Sequence, residues 1–215
     1  MLHGLRIILF GVPGSGKGTQ ASLLSAKLSI PVISTGEILR QEITNKSSIG
    51  ELANSFVKQG ELVPDSIVID IIKARLAQPD CINGYILDGF PRNQTQAHAL
   101  DNANIKLDHV IYITVPKEDV IERLSGRRVH QSSGRVYHIK FNPPKIAGKD
   151  DFTGEELIQR SDDKPEVIRN RLALSDAQMS SLEQYYENHT ATLSVVDGNR
   201  AAELVQKDIL SILAS

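Results

Sequence analysis

The chain alternates between short apolar runs and longer stretches of helical periodicity. Five apolar runs read as strands: "LRIILF" at 5–10, "PVIS" at 31–34, "GYILD" at 84–88, "HVIYITV" at 109–115 and "TLSVVD" at 192–197. Several are unbroken rather than alternating, the pattern of strands buried on both faces. Helix-period patterns cover 17–28, 36–45, 49–59, 65–78, 94–103, 117–127, 165–188 and 201–213. Strand followed by helix, repeated, predicts an α/β fold in which a five-stranded parallel sheet is covered by helices through right-handed crossovers.

Two segments break the alternation. The connection between the second and third strands is longer than one crossover helix needs, and 34–63 reads as a small helical insertion. A second excursion, 126–163, opens on basic residues and contains "SSGRVYH", "FNPPK" and "AGKDD". Its density of turn formers and its length predict a small β-rich insertion rather than a simple loop. The core is then 1–33, 64–125 and 164–215.

Composition changes this picture only by exclusion. The 215 residues suffice for one core with insertions, and 40% hydrophobic with 23% charged residues is the balance of a soluble globular chain. A net charge of -2 gives no general affinity for nucleic acid or an anionic membrane, so any anion site must come from local positive charge. Cys81 is the single cysteine, which rules out an intramolecular disulfide and a cysteine-based zinc site. No run approaches the ~20 apolar residues of a membrane span. The first residues lack the pattern of a secretory signal, so a cytoplasmic location is expected.

The chemistry begins at "GVPGSGKGTQ", residues 11–20. It follows a strand and opens a helix, the setting in which a Gly-rich turn directs backbone N–H groups and a helix N-terminus at phosphates. Gly11, Gly16 and Lys17 fit the phosphate-loop pattern G-x-x-x-x-G-K-[ST], but Gly18 stands in the hydroxyl position and Thr19 comes one residue late. Arginines are spread over both insertions and the core: Arg40 after "STGEIL", Arg92 ending "DGFPR", Arg123, Arg127, Arg160 and Arg171. Each alone reads as a solvated surface residue; with a phosphate cradle they suggest a clamp on two phosphorylated substrates. Arg123 and Arg127, at i and i+4, are expected on one helical face. Asp88 ends a strand beside the cradle, where a carboxylate either holds magnesium or caps the next turn. His3, His98, His109 and His189 read as surface residues, while His130, Ser133, Asp150 and Thr153 suggest a hydrogen-bonded polar cluster.

"GVPGSGKGTQ", "STGEILR", "DGFPR", "GRRVH", "SGRVYHIKFNPPK" and "GKDDFTGEEL", in that order and across essentially the whole chain, resemble the long-lid bacterial adenylate kinases. The resemblance implies that the first insertion binds AMP and the second is a lid. It implies ATP contacts at Gly14, Ser15, Gly16, Lys17, Gly18, Thr19, Arg123, Arg127, Val136, Tyr137 and Arg200. AMP contacts fall on Thr35, Arg40, Glu61, Leu62, Val63, Gly89, Phe90, Pro91, Arg92, Gln96, Arg160 and Arg171. Lys17, Arg92, Arg127, Arg160 and Arg171 would carry catalysis, with Asp88 holding Mg2+ through water. His130, Ser133, Asp150 and Thr153 occupy the places where zinc-binding members carry cysteines, which implies a lid without zinc.

The implied reaction is reversible phosphoryl transfer from MgATP to AMP, giving two ADP, by a monomer that needs neither nucleic acid nor membrane. A phosphate acceptor is already largely ionised at pH 7, so no general base is required. Asn93 stands where the family usually has threonine, and "DGFPRNQ" resembles UMP/CMP kinases at that spot. A pyrimidine monophosphate acceptor is therefore the alternative, although Thr35, the amide of Gln96 and the full-length lid favour adenine. A GTPase-type switch is disfavoured because the chain has no N-K-x-D motif.

Overall fold

The computed structural model describes residues 4–59, 61–189 and 191–214, so His3 lies outside the described residues. Along the chain, β1 (Arg6–Phe10) leads into α1 (Lys17–Leu28), and β2 (Val32–Ser34) into α2 (Thr35–Thr44), α3 (Ser48–Gln59) and α4 (Asp65–Leu76). β3 (Tyr85–Asp88), α5 (Gln94–Asn102), β4 (His109–Thr114) and α6 (Lys117–Ser125) follow. Three short strands, β5 (Arg127–His130), β6 (Val136–His138) and β7 (Leu157–Ile158), precede α7 (Pro165–Glu187), β8 (Thr192–Asp197) and α8 (Ala202–Leu213).

The five apolar runs make one parallel sheet in the order β2-β3-β1-β4-β8. β1 lies at its centre, and its side chains alternate between two buried layers, as the pleat requires. Ile7 and Leu9 join Ala21 and Leu24 of α1 and Val205 and Ile209 of α8. Ile8 and Phe10 join Ile72 of α4, Leu100 of α5, Leu124 of α6 and Ile168 of α7. Helices therefore cover both faces, which is why the strand sequences are unbroken apolar runs.

The segment after α6 corrects one expectation. The helix ends at Ser125, and Arg127 opens β5, so Arg123 and Arg127 do not share a helical face. The chain leaves the helix at Gly126, over which β6 crosses closely. A Cβ on Gly126 would lie 2.3 Å from His138 Nε2, and the Gly126 carbonyl accepts the N–H of Ile139 at 3.0 Å. β5, β6 and β7 then form a small antiparallel sheet in the order β6-β5-β7.

Among the described residues no helix is long and apolar enough to cross a membrane. Of the described histidines outside the second insertion, His98 is exposed while His109 and His189 are half-buried. His189 Nε2 lies 2.9 Å from Asp101 Oδ1. Tyr186, near the end of α7, is 1% exposed, and its hydroxyl has no hydrogen-bond partner among the described residues. An unpaired buried hydroxyl costs about 1–3 kcal/mol. Tyr186→Phe is accordingly expected to raise the melting temperature by about 2–4 °C, as read by calorimetry, with activity unchanged.

Candidate functional site

Where β1 ends, the backbone turns sharply into α1. At Gly11 (φ 149°) a Cβ would sit 2.3 Å from the Ile113 carbonyl oxygen, so β4 approaches the turn too closely for any side chain there. Gly16, in the left-handed region (φ 98°), is the N-cap of α1, and no side chain caps that helix. Its first N–H groups therefore remain open to an anion, reinforced by the helix dipole. Lys17 folds back over the turn. Its Nζ donates to the carbonyls of Gly11 and Val12, both at 2.9 Å, and to Ser15 Oγ at 3.3 Å. Burial pushes this amine down to about 8 against the pull of Asp88, and Arg92, Arg171 and Arg127 push it further. Asp88 closes the cradle at the end of β3, with Oδ2 3.6 Å from where a Cβ on Gly18 would be.

The arginines converge on this turn from separate elements. Burial lowers Arg40, Arg92, Arg160 and Arg171 below the ordinary guanidinium value, Arg92 to about 10 and Arg160 to about 9. Repulsion from other arginines of the set pushes each of them the same way. All remain charged at neutral pH. Two buried carboxylates on the short 3-10 turn Ser161–Asp163 hold Arg127 and Arg171, and nothing in the sequence pattern marked these residues. Asp163 accepts from Arg127 Nε at 2.8 Å and Nη2 at 2.5 Å. Asp162 accepts from Arg171 Nη1 at 2.7 Å. Against the upward push of burial, Arg171, Arg40, Arg127 and Arg160 hold the Asp162 carboxyl below its usual value. Arg160 has a looser partner in Glu37 of α2, at 3.9 Å.

On the side of the first insertion, the Gly89 carbonyl accepts from both Thr35 Oγ1 (3.0 Å) and Arg92 Nε (2.9 Å). Gln96 is buried, with Oε1 accepting the Arg92 N–H at 2.8 Å and Nε2 donating to Asp65 at 2.7 Å. Asn93 is the N-cap of α5, its Oδ1 accepting the Gln96 N–H at 2.9 Å. Phe90 departs from expectation. Its ring is in the apolar core, and among the residues expected to bind substrate it alone does not line the cleft.

Opposite, Arg123 donates to the Gly198 carbonyl (3.1 Å) and to Asn199 Oδ1 (3.0 Å), which fixes its guanidinium beside the end of β8. His138 and Phe141, stacked at 4.4 Å between centroids, also line the cleft, an aromatic pair that the sequence pattern did not single out. Tyr137 lines the cleft from the second insertion, its hydroxyl donating to Asp150 at 2.9 Å. Arg200 is at the exposed rim, held by Asp208 at 2.5 Å. Inside the second insertion, His130 Nδ1 lies 2.7 Å from Ser133 Oγ and its Nε2 2.5 Å from Glu155. Arg135 forks onto Asp150 at 2.8 and 2.6 Å, and Thr153 Oγ1 donates to the same carboxylate at 3.0 Å. Among the described residues no group of three or more His, Cys, Asp or Glu could hold a metal ion.

The phosphate turn, the converging arginines, Thr35, Gln96, His138 and Phe141 bound one cleft of about 1120 Å³, which Gly14 to Thr19, Glu61, Leu62, Val63, Pro91 and Val136 also line. Single small-molecule sites run to about 300–1,000 Å³, and this cleft exceeds that range. The β5–β6 turn reaches across it, since a Cβ on Gly134 would be 3.7 Å from Glu37 Oε1 of α2. A comparison with protein families finds a match over residues 9–191 to the one described as Adenylate kinase.

Proposed function

The chain belongs to the adenylate kinase family, and on that premise we propose that it transfers the terminal phosphoryl group of MgATP to AMP, reversibly, giving two ADP. It is a kinase acting on nucleotides; the identity of the pair is the proposed part. One observation carries the reading: Lys17, Arg40, Arg92, Arg160 and Arg171, from separate elements, line one cleft half-buried, where partial desolvation disfavours their charged forms. A protein keeps such a set of desolvated cations where polyanions come to neutralise it.

In this reading the open N-terminus of α1 and Lys17 hold the ATP phosphates, and Arg123 with His138 and Phe141 flanks its base. Arg40 and Arg92 hold the AMP phosphate, with Thr35 and Gln96 nearer its base. Arg127, Arg160 and Arg171 lie between and neutralise the moving group, a contribution of about 10³–10⁵ in rate where one arginine acts this way. Residues 126–163 serve as a lid that excludes water, the competing acceptor, and 34–63 as the AMP-binding insertion. Asp88, a hard oxygen donor beside the cradle, fits an ion that keeps most of its waters, and Mg2+ so held would neutralise phosphate charge.

Asn93 does not weigh toward a pyrimidine acceptor, because both ends of its side chain are used within the protein, on Gln96 and Asp65. The test is ADP formation from MgATP with AMP, UMP, CMP and GMP as acceptors. AMP is expected to exceed the others by at least about tenfold in kcat/KM, about 1.4 kcal/mol. A preference for UMP or CMP would replace this reading with the pyrimidine one.

A further inference from the structure

Asp65 lies at the first position of α4 and accepts from two amides at once, Gln96 Nε2 at 2.7 Å and Asn93 Nδ2 at 3.0 and 3.2 Å. At its other end, the Gln96 amide meets the Arg92 backbone N–H, which Oε1 accepts at 2.8 Å. A side-chain amide can be turned over by half a rotation with little change of shape. Here that rotation would set Nε2 against the Arg92 N–H and Oε1 against the Asp65 carboxylate. Donor would face donor and lone pair would face charge, so one sense of the amide is enforced from both ends.

We propose that Asp65 is a positioning residue that fixes the sense in which Gln96 reads the acceptor base, and so selects amino-bearing over keto-bearing bases. The inference rests on the assignment of Gln96 to the acceptor side. With one hydrogen given to Asp65 and one lone pair to Arg92, Gln96 keeps a second hydrogen and a second lone pair. In a fixed amide these form a donor and an acceptor in one order along the edge. Adenine offers the matching order, ring nitrogen as acceptor and amino group as donor. Hypoxanthine and guanine present the reverse, N–H and carbonyl, and meet the fixed amide with like against like. Sites of this kind discriminate well because a mismatch leaves buried polar groups unpaired.

The experiment compares AMP with inosine monophosphate, in which a carbonyl replaces the amino group and the neighbouring ring nitrogen carries a hydrogen, in the wild type and in the Asp65→Ala, Asp65→Asn and Asn93→Thr variants. Asp65→Asn is nearly isosteric and, since an amide at 65 can donate as well as accept, removes the constraint at that end of Gln96 and leaves the Arg92 N–H as the single remaining bias. Both Asp65 variants are expected to lose about tenfold in the AMP:IMP ratio of kcat/KM, through KM, with kcat changed less than threefold. Asn93→Thr keeps a capping oxygen and a donor toward Asp65, and it is expected to retain the ratio. A ratio unmoved in both Asp65 variants would overturn the inference, as would an equal loss for both acceptors through kcat. A wild type that does not phosphorylate AMP would overturn the acceptor assignment itself, a separate and distinguishable failure.

Discussion

Lys17→Met is expected to lower kcat about a thousandfold while leaving the fold intact, read by coupled ADP formation at saturating nucleotide and by thermal melting. The estimate follows from the cost of removing one preorganised donor to a developing anion, about 10²–10³ in kcat, with a full charge lost as well. The fold should persist because Nζ gives up only three contacts to the turn, Gly11, Val12 and Ser15, all within its own loop. A pH signature separates loss of charge from loss of shape. In the empty protein burial brings the amine to about 8, so it is increasingly neutral above that pH. A polyphosphate bound beside it favours the protonated form and raises it again. Binding must then take up protons above pH 8, and affinity must fall as pH rises through that value. For stability the sign is opposite: the native protein binds fewer protons here than the unfolded chain between 8 and the ordinary 10.5, so the penalty this group places on folding is relieved as pH rises across that window. Titration calorimetry in buffers of differing ionisation enthalpy should show the proton uptake in the wild type and its loss in Lys17→Met. A variant with the same proton uptake would remove Lys17 from the phosphate site.

How much of this was legible beforehand depends on whether a signal was local. The sheet was, because the central stretches of β1, β3 and β4 are buried on both faces and so form unbroken apolar runs. So was the cradle, whose glycines answer to backbone conformation and close approach within a few residues. The boundary at Gly126 was not, since helix periodicity in 117–127 continues through Arg127 and what ends the helix is a distant crossing by His138. Phe90 belongs to a contiguous motif, yet its ring joins the core while Arg92 faces the cleft. The carboxylates of Asp65, Asp162 and Asp163 carried no signal because charged residues at a helix start or in a polar turn look solvated. Only the assembled fold shows that they receive Gln96, Arg171 and Arg127.

Asp163→Ala carries the second large expected effect, although Asp163 need touch no substrate. It is fully buried and receives both arms of Arg127, and it lies 3.9 Å from Arg171 Nη1. Removing one partner of a buried pair leaves the other charge uncompensated, about 3–5 kcal/mol when burial is complete. The Arg127 side chain keeps 18% of its exposure, so the lower figure applies, and the melting temperature should fall by about 6–12 °C. Arg127 would also lose its fixed orientation in a cleft where other cations repel it, and kcat/KM should drop about 10²–10³-fold. Asp163→Asn keeps one acceptor without the charge and should fall between the two. Saturating substrates give the decisive measurement, because bound phosphates supply the negative charge that the variant lacks. The melting gap between wild type and Asp163→Ala should therefore narrow when both nucleotides are present. A gap of the same size with and without them, together with unchanged kcat/KM, would make Asp163 a purely structural residue.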